Sequence, residues 1–218
     1  MLSFAIGDVH GCHDKLIDLL ERCRDYARGQ PHRFVFIGDY IDRGPNSHAV
    51  VQRLIDLDRS GDDHVFLRGN HEDMLLHALL DPDAADEWLA NGGNATLASY
   101  SATAPDQIPA DHLDWLTTRL LSHDDGLRLF VHAGINPTRP LHSQTPHDLL
   151  WIREPFLSFG SDFGRVIIHG HTPTHDGKPD IRPNRINIDT AAVHGGPLTA
   201  AVFIPTGRGQ MSFLQSEK

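Results

Sequence analysis

Cysteine is nearly absent from this chain: Cys12 and Cys23 are the only two in 218 residues. They lie eleven positions apart on what reads as one helix, about 16 Å of rise and too far for a disulfide. Both therefore read as core thiols, and no disulfide framework is expected. No apolar run approaches the ~20 residues of a membrane helix, and the first residues run into a strand pattern rather than a signal peptide. The expected location is the cytoplasm, with no membrane partner. Positive charge is also scarce. Lys and Arg number 19 against 29 Asp and Glu, a formal net charge of −10, which disfavours nucleic-acid duplexes and anionic membranes as partners. Any phosphate handled here must be drawn by a local field. There is no Gly/Ser- or Pro-rich linker, no internal repeat and no low-complexity segment, so the chain reads as a single domain over 1–218. That length buries roughly 70–75% of the unfolded chain's surface.

What is present is a recurrence. Five short apolar runs each end on a potential metal ligand. Phe4-Ala5-Ile6 leads into Gly7-Asp8-Val9-His10, Phe34-Val35-Phe36-Ile37 into Gly38-Asp39, and Val65-Phe66-Leu67 into Arg68-Gly69-Asn70-His71-Glu72. Leu129-Phe130-Val131 meets His132, and Val166-Ile167-Ile168 meets His169-Gly170-His171. Such runs read as buried strands, and in α/β sheets the carboxyl ends of the strands face the ligand crevice. Helical spacing follows the first two strands: Leu16, Ile17, Leu19, Leu20, Cys23, Tyr26 and Ala27, then Ala49, Val50, Val51, Leu54, Ile55 and Leu57. A third helix opens at Gly69-Asn70 and stops at Pro82.

Residues 83–120 show only helical patterns, around Trp88 and Leu89 and around Leu113, Trp115, Leu116 and Leu120. Between them Asn91-Gly92-Gly93 resembles a turn. This reads as a helical insertion near the site. Strands return at 127–133, 165–170, 185–189, 198–204 and 210–214, with a short helical piece from Asp148 to Phe156. Their pairing is not legible in periodicity, but a second sheet packed on the first is the simplest arrangement that buries them.

Asp8 and His10 flank one residue of an extended segment, so their side chains should share a side and grip one ion. Asp39 could bridge two ions, and Asn70, His132 and His171 would complete the second. Mixed Asp, His and Asn ligation without thiolate suits Mn²⁺ and also permits Fe or Zn. Taken alone, an Asp after a glycine is usually a turn residue and a His at a strand end usually a hydrogen-bonded surface group. The ordered succession Gly-Asp-x-His-Gly, Gly-Asp-x-x-Asp-Arg-Gly, Gly-Asn-His-Glu, His-Ala-Gly and Gly-His-Thr makes coincidence a poor explanation.

Those blocks, over positions 7 to 172, resemble the calcineurin-like metallophosphoesterase superfamily. Asp42-Arg43-Gly44 and Gly69-Asn70-His71-Glu72 resemble its phosphoprotein phosphatase branch, the bacterial and bacteriophage lambda-type serine/threonine phosphatases. The resemblance implies an α/β fold, an αββα sandwich of two mixed sheets flanked by helices. It also implies a dinuclear centre, with Asp8, His10 and Asp39 on one ion and Asp39, Asn70, His132 and His171 on the other. Pro173 stands where many relatives outside the branch carry the second histidine of Gly-His-x-His, which argues against nucleases and phosphodiesterases. His169 is expected off the metal, since the family's ligand directly precedes Thr172. His194 comes too late in the chain to match the His132 block.

Two divalent ions would make the pocket locally positive and support in-line attack by a metal-bridging hydroxide, with no covalent phosphoenzyme. An alkoxide leaving group needs a proton. The resemblance assigns this to His71, held by Asp42, whose negative charge favours the protonated ring. Arg43 resembles the phosphate-binding arginine, whose fork can hold two phosphoryl oxygens. Arg153 resembles a second one, with an exposed helix residue as the alternative. Arg68 and Glu72 are expected to orient neighbours. The function implied is a serine/threonine protein phosphatase acting on a phosphorylated protein or peptide. The alternatives are a symmetrical diadenosine tetraphosphate hydrolase, whose partner is a small phosphorylated nucleotide, and a non-catalytic binding protein retaining the fold. The last is disfavoured because no chemistry-bearing position is replaced.

Overall fold

Alternating apolar strands and amphipathic helices build the first half of the molecule. The structure is a computed structural model and describes residues 1–207, 209 and 212–217. Strand β1 (Leu2–Ile6) is followed by α1 (His13–Ala27), β2 (His32–Phe36), α2 (Ser47–Asp58) and β3 (Val65–Phe66). Helix α1 buries Leu16, Leu19, Leu20, Cys23 and Ala27, a single stripe at helical spacing. It ends at Arg28, a left-handed residue (φ 48°) whose N–H closes onto the carbonyls of Arg24 and Asp25.

Strands β1, β2 and β3 pair in parallel. One face of this sheet presents Phe4, Ile6, Phe34, Phe36 and Phe66 to α1 and α2. The other presents Ala5, Val35, Ile37, Val65 and Leu67 to Phe130, Ile168 and Ile186 of a second sheet. The period-2 alternation of each strand thus fills two cores, and each fully buried Phe or Ile contributes about 1.5–3 kcal/mol.

The stretch from 82 to 117 is mainly helical, as expected: α3 (Asn70–Ala78) is followed by α4 (Pro82–Trp88), a glycine-kinked turn over 89–93, α5 (Asn94–Tyr100) and α6 (Ala110–Thr117). The expected helical pattern does not extend to Leu120, which instead forms a parallel bridge with Leu67. Beyond it come β4 (Ser122–Asp124), β5 (Arg128–Val131), α7 (Pro146–Trp151), β6 (Val166–His169), β7 (Asp180–Ile181), β8 (Arg185–Asn187), β9 (Thr199–Phe203) and β10 (Ser212–Gln215). The sheets are both five-stranded and mixed, in the orders β10-β9-β1-β2-β3 and β4-β5-β6-β8-β7. Leu129, Val131 and Ile167 on the outer face of the second pack under Leu149, Ile152 and Phe156. The layers are therefore helices, sheet, sheet, helices, the sandwich the resemblance implied.

Several details differ from the sequence reading. Strands β9 and β10 do not join the second sheet; β9 pairs antiparallel with β1 and β10 pairs with β9. Left as an edge, β1 would bury apolar faces while exposing a row of unpaired backbone groups, and β9 covers that row. Strands β4 and β7 are too short and polar to show a period. Of the strand expected at 210–214, residues 210 and 211 lie outside the described residues. The helix expected from Asp148 to Phe156 stops at Trp151, where Ile152 turns to extended backbone (ψ 138°). Arg153 is accordingly not a helix residue.

Candidate metal centre

The loops leaving β1 and β2 lock onto each other. Val9 and His10 N–H both donate to Asp39 O at 2.9 and 2.8 Å, and Gly11 N–H to Tyr40 O at 2.8 Å. The loop after β6 joins them: Gly170 N–H donates to His132 O at 2.8 Å and His171 N–H to Asp8 Oδ2 at 3.1 Å. Gly38, at φ 101°, lets the β2 loop approach that of β3; a Cβ there would sit 2.4 Å from Gly69 N.

The backbone around these ligands is strained. His10, Asp39, Asp42, Arg43 and His171 all have positive φ, between 44° and 72°, at a cost on the order of 1–3 kcal/mol each. The expectation that Asp8 and His10 share one side of an extended segment fails for this reason: β1 ends at Ile6, and His10 is left-handed. A buried carboxylate holds much of the strain. Glu72 Oε2 accepts from Asp39 N–H at 2.9 Å and Gly69 N–H at 2.8 Å, and Oε1 from Tyr40 N–H at 2.8 Å and Ile41 N–H at 3.3 Å. Burial and the charge of Asp39 push Glu72 up to about 8, against the pull of those N–H groups.

Asp8, His10, Asp39, Asn70, His132 and His171 are all buried and converge. Asp39 is their hub. Its Oδ2 lies 3.3 Å from His10 Nε2 and 4.0 Å from His71 Nε2, and its Oδ1 lies 3.4 Å from His132 Nε2. Asn70 Oδ1 lies 2.8 Å from both His132 Nε2 and His171 Nδ1. Two groups of three have ligand atoms within 4.8 Å of one another: His10, Asp39 and His71, and Asp39, His132 and His171. Asp8 falls outside both, and His71 inside the first, unlike the expected division. His71 Nδ1 is bonded to Asp42 Oδ2 at 2.7 Å, which leaves Nε2 toward Asp39. Asp8 Oδ1 is buried with no partner, which makes Asp8 a candidate for a cation as well.

This donor set fits a cation. His132 Nδ1 donates to the carbonyl of Ile37 at 2.9 Å, and burial pulls the ring's pKa below its ordinary value, so Nε2 is a bare lone pair. It faces the oxygens of Asn70 and Asp39, acceptor against acceptor. Rotating the Asn70 amide would relieve that contact alone. His132 Nε2 would still face Asp39 Oδ1, and Asp8 Oδ1 and His171 Nε2 would remain buried without partners. A positive ion in the cluster would satisfy the His132 lone pair and the carboxylate oxygens together, with His171 facing it through Nδ1, the nitrogen turned to Asn70 Oδ1.

Electrostatics point the same way. Burial raises Asp8 well above the usual carboxylate range, and the charges of Asp189 and Asp39 add to it. Burial also raises Asp189, to about 6. At Asp39 burial acts in the same sense, but His132, His71 and His10 hold its pKa well below the ordinary value. Burial, then His132, lowers His171 to about 3. Asp8 and Asp189 are thus crowded buried carboxylates, and burial disfavours the charged form of His132 and His171, so that side of the cluster lacks a positive charge. At His10, by contrast, Asp39 outweighs burial and raises the ring.

Around this cluster, Arg43 is exposed and its Nη1 donates to His10 Nε2 at 2.9 Å. Arg153 is exposed and near enough to His171 for its charge to help lower that ring, after burial and His132. Asp42 is bound by Trp88 Nε1 and by Thr96 Oγ1. Arg68 pairs with Asp73 at 3.4 Å and donates to Thr117 O. His169 lies elsewhere, 3.4 Å from Arg185 Nη1 and against the Phe156 ring. His194 is exposed in a short turn. The sequence reading missed three neighbours of the centre: Trp88, Thr96 and Asp189. Asp189 carried a signal, since Ile186-Asn187-Ile188-Asp189 also ends an apolar alternation on a carboxylate. Trp88 and Thr96 carried only a helical pattern.

Comparison with known proteins gives the family. The chain is 32% identical to serine/threonine-protein phosphatase 1 of Salmonella typhimurium, over 91% of this chain and 90% of that protein. It is 34% identical to a symmetrical bis(5'-nucleosyl)-tetraphosphatase of Dechloromonas aromatica over 63% of this chain, spanning 45% of the relative's length. A crystal structure of a candidate diadenosine tetraphosphatase superposes with a TM-score of 0.69 over 99% of this chain and 93% of its own, a likeness of fold at 21% identity. The calcineurin-like phosphoesterase family matches residues 1–201, and the chain belongs to that family of phosphoester hydrolases.

Proposed function

We propose that this protein is a phosphomonoester hydrolase dependent on two divalent ions, manganese foremost, acting on phosphoserine and phosphothreonine in proteins as a single domain in the cytoplasm. The observation that carries this is Asp39, one buried carboxylate with His10 on one oxygen and His132 on the other. Asp8, His10 and Asp39 would hold one ion; Asp39, Asn70, His132 and His171 the other. Bound there, the ions would offset phosphoryl charge and lower the pKa of a water for in-line attack.

The chain's own groups supply the rest. Arg43 and Arg153 flank the cluster from the exposed side, where their guanidinium groups can hold phosphoryl oxygens. His71 donates Nδ1–H to Asp42, which fixes the ring and leaves Nε2 toward the cluster to carry the proton for the departing serine oxygen. His71→Asn should slow hydrolysis of a phosphoserine peptide by about 10²–10⁴-fold and of p-nitrophenyl phosphate far less, because nitrophenolate needs little protonation. Equal losses on both would remove His71 from the acid role.

The protein phosphatase reading is favoured by the end-to-end match to the Salmonella protein. The match to the dinucleotide hydrolase spans less of either chain but has 34% identity against 32%, and it keeps diadenosine tetraphosphate as the second reading. Manganese-loaded protein assayed in parallel on phosphopeptides, diadenosine tetraphosphate and a bis-aryl phosphodiester should turn over the phosphopeptides fastest. Turnover of diadenosine tetraphosphate with inert phosphopeptides would reverse the order.

A further inference from the structure

The end of α4, the turn over 89–93 and the start of α5 close over the loop that carries Asp42 and Arg43. Asp42 is wholly buried, and this segment binds both of its oxygens. Trp88 Nε1–H reaches Oδ1 at 3.1 Å and Oδ2 at 2.9 Å, and Thr96 Oγ1–H donates to Oδ1 at 2.7 Å. The Thr96 oxygen also accepts from Asp42 N–H at 2.8 Å. The remaining contact of the carboxylate is His71 Nδ1.

One residue on, Arg43 N–H donates to Gly92 O at 3.1 Å. Gly92 has φ 112°, and a Cβ there would come within 2.7 Å of Arg43 Cγ. A Cβ on Gly93 would meet the Trp88 ring at 2.5 Å, so paired glycines are what allow this approach. Asp42 and Arg43 are themselves left-handed, at φ 72° and 67°, conformations that persist only when surroundings hold them.

We infer that Trp88, Gly92 and Thr96 are positioning residues: a clamp from the helical insertion that presses the Asp42 carboxylate onto His71 and aims Arg43. None of them reaches the reacting atoms. The clamp acts through Asp42 and Arg43, and the inference rests on the acid role proposed for His71. A segment serving only as a packed cover would predict losses indifferent to the leaving group.

The test uses the metal-loaded full chain carrying Thr96→Val, Thr96→Ser, Trp88→Phe, Gly92→Ala or His71→Asn, with kcat and KM on a phosphoserine peptide and p-nitrophenyl phosphate. Thr96→Val removes a hydrogen bond to a buried charge and should lower kcat on the phosphopeptide about tenfold or more. On p-nitrophenyl phosphate its effect should stay under about threefold, with metal content and KM near wild type. Thr96→Ser should restore the phosphopeptide rate, and Trp88→Phe should show the same split as Thr96→Val. Gly92→Ala should raise KM on both substrates by displacing Arg43. In ¹⁵N-tryptophan-labelled protein, Thr96→Val should shift the Trp88 indole N–H resonance while those of Trp115 and Trp151 stay put. Equal losses on both substrates, with serine no better than valine, would overturn the clamp while a split retained by His71→Asn leaves the acid role standing. Wild-type rates in both Thr96→Val and Trp88→Phe would overturn it as well. No split in His71→Asn itself would overturn the acid role, and the clamp with it.

Discussion

Strand β5 has a charged cluster at each end, and the two ends behave in opposite ways. At its start, buried Arg128 bonds Asp125 through Nε at 2.8 Å and Nη2 at 2.6 Å. Its Nη1 donates to Ile204 O at 3.2 Å and Gly207 O at 2.9 Å, and its guanidinium lies 4.7 Å from the Phe203 ring centre. Each charge there has its counterpart. Just past the other end, His132 enters a cluster of buried carboxylates and bare imidazole nitrogens in which Asp8 Oδ1 and His171 Nε2 have no partner. Burial alone therefore does not mark a functional site. What distinguishes the two ends is whether the buried groups are satisfied within the chain.

The sharpest way to break this contrast is Asp8→Asn. Removing the partnerless carboxylate should reduce metal content, read by elemental analysis, and phosphatase activity by at least about 100-fold. The fold of the metal-free protein should survive, because the change removes a buried repulsion. Full activity with normal metal would discredit the contrast.

The next largest effect concerns stability and pH. Burial raises Asp189 to about 6 in the fold, above its unfolded value near 4. The folded state therefore binds the proton more tightly, and the metal-free protein loses stability as pH rises from about 4 to 6. Above that window Asp189→Asn should stabilise it by about 3 kcal/mol, and below it by nothing. Denaturant titrations at pH 4 and 7.5 with chelator present would measure this, and an equal effect at both would contradict it.

Asp125 should slope the other way. Burial pushes its carboxyl up, but Arg128 outweighs that and holds it below the ordinary value. Its contribution is complete above the unfolded pKa near 4 and is lost as pH falls through the depressed folded value. Asp125→Asn should cost about 2 kcal/mol at pH 7 and progressively less in acid, with metal binding unchanged. A pH-independent loss would show that Asp125 acts by shape rather than charge.

Much of this was legible in the chain, for reasons that differ by element. Strands β1, β2, β5 and β6 announced themselves because an apolar run stopped by glycine or histidine is a local pattern. The helical stretch after Pro82 was legible by period for the same reason. The partner of β9 was not, because its pairing with β1 joins residues nearly two hundred positions apart and periodicity says nothing about neighbours. His10 was misread as extended, since its left-handed turn comes from contacts with the β2 loop rather than from its own preference. Trp88 and Thr96 showed only that their segment was helical. A helical pattern does not reveal that an indole N–H and a hydroxyl both point at one buried carboxylate.

Residue order alone was enough to establish which chemistry could occur here: aspartates, histidines and an asparagine at strand ends, in a sequence of blocks that resembles a metallophosphoesterase. It could do so because ligand type and strand termination are local properties. The three-dimensional arrangement decided the rest, namely that Asp39 stands between two sets of imidazoles, that Asp8 and His171 are left unsatisfied, and that a distant helical segment grips Asp42. Those are relations among side chains brought within hydrogen-bonding range by packing, and distance in space is not written in order along the chain.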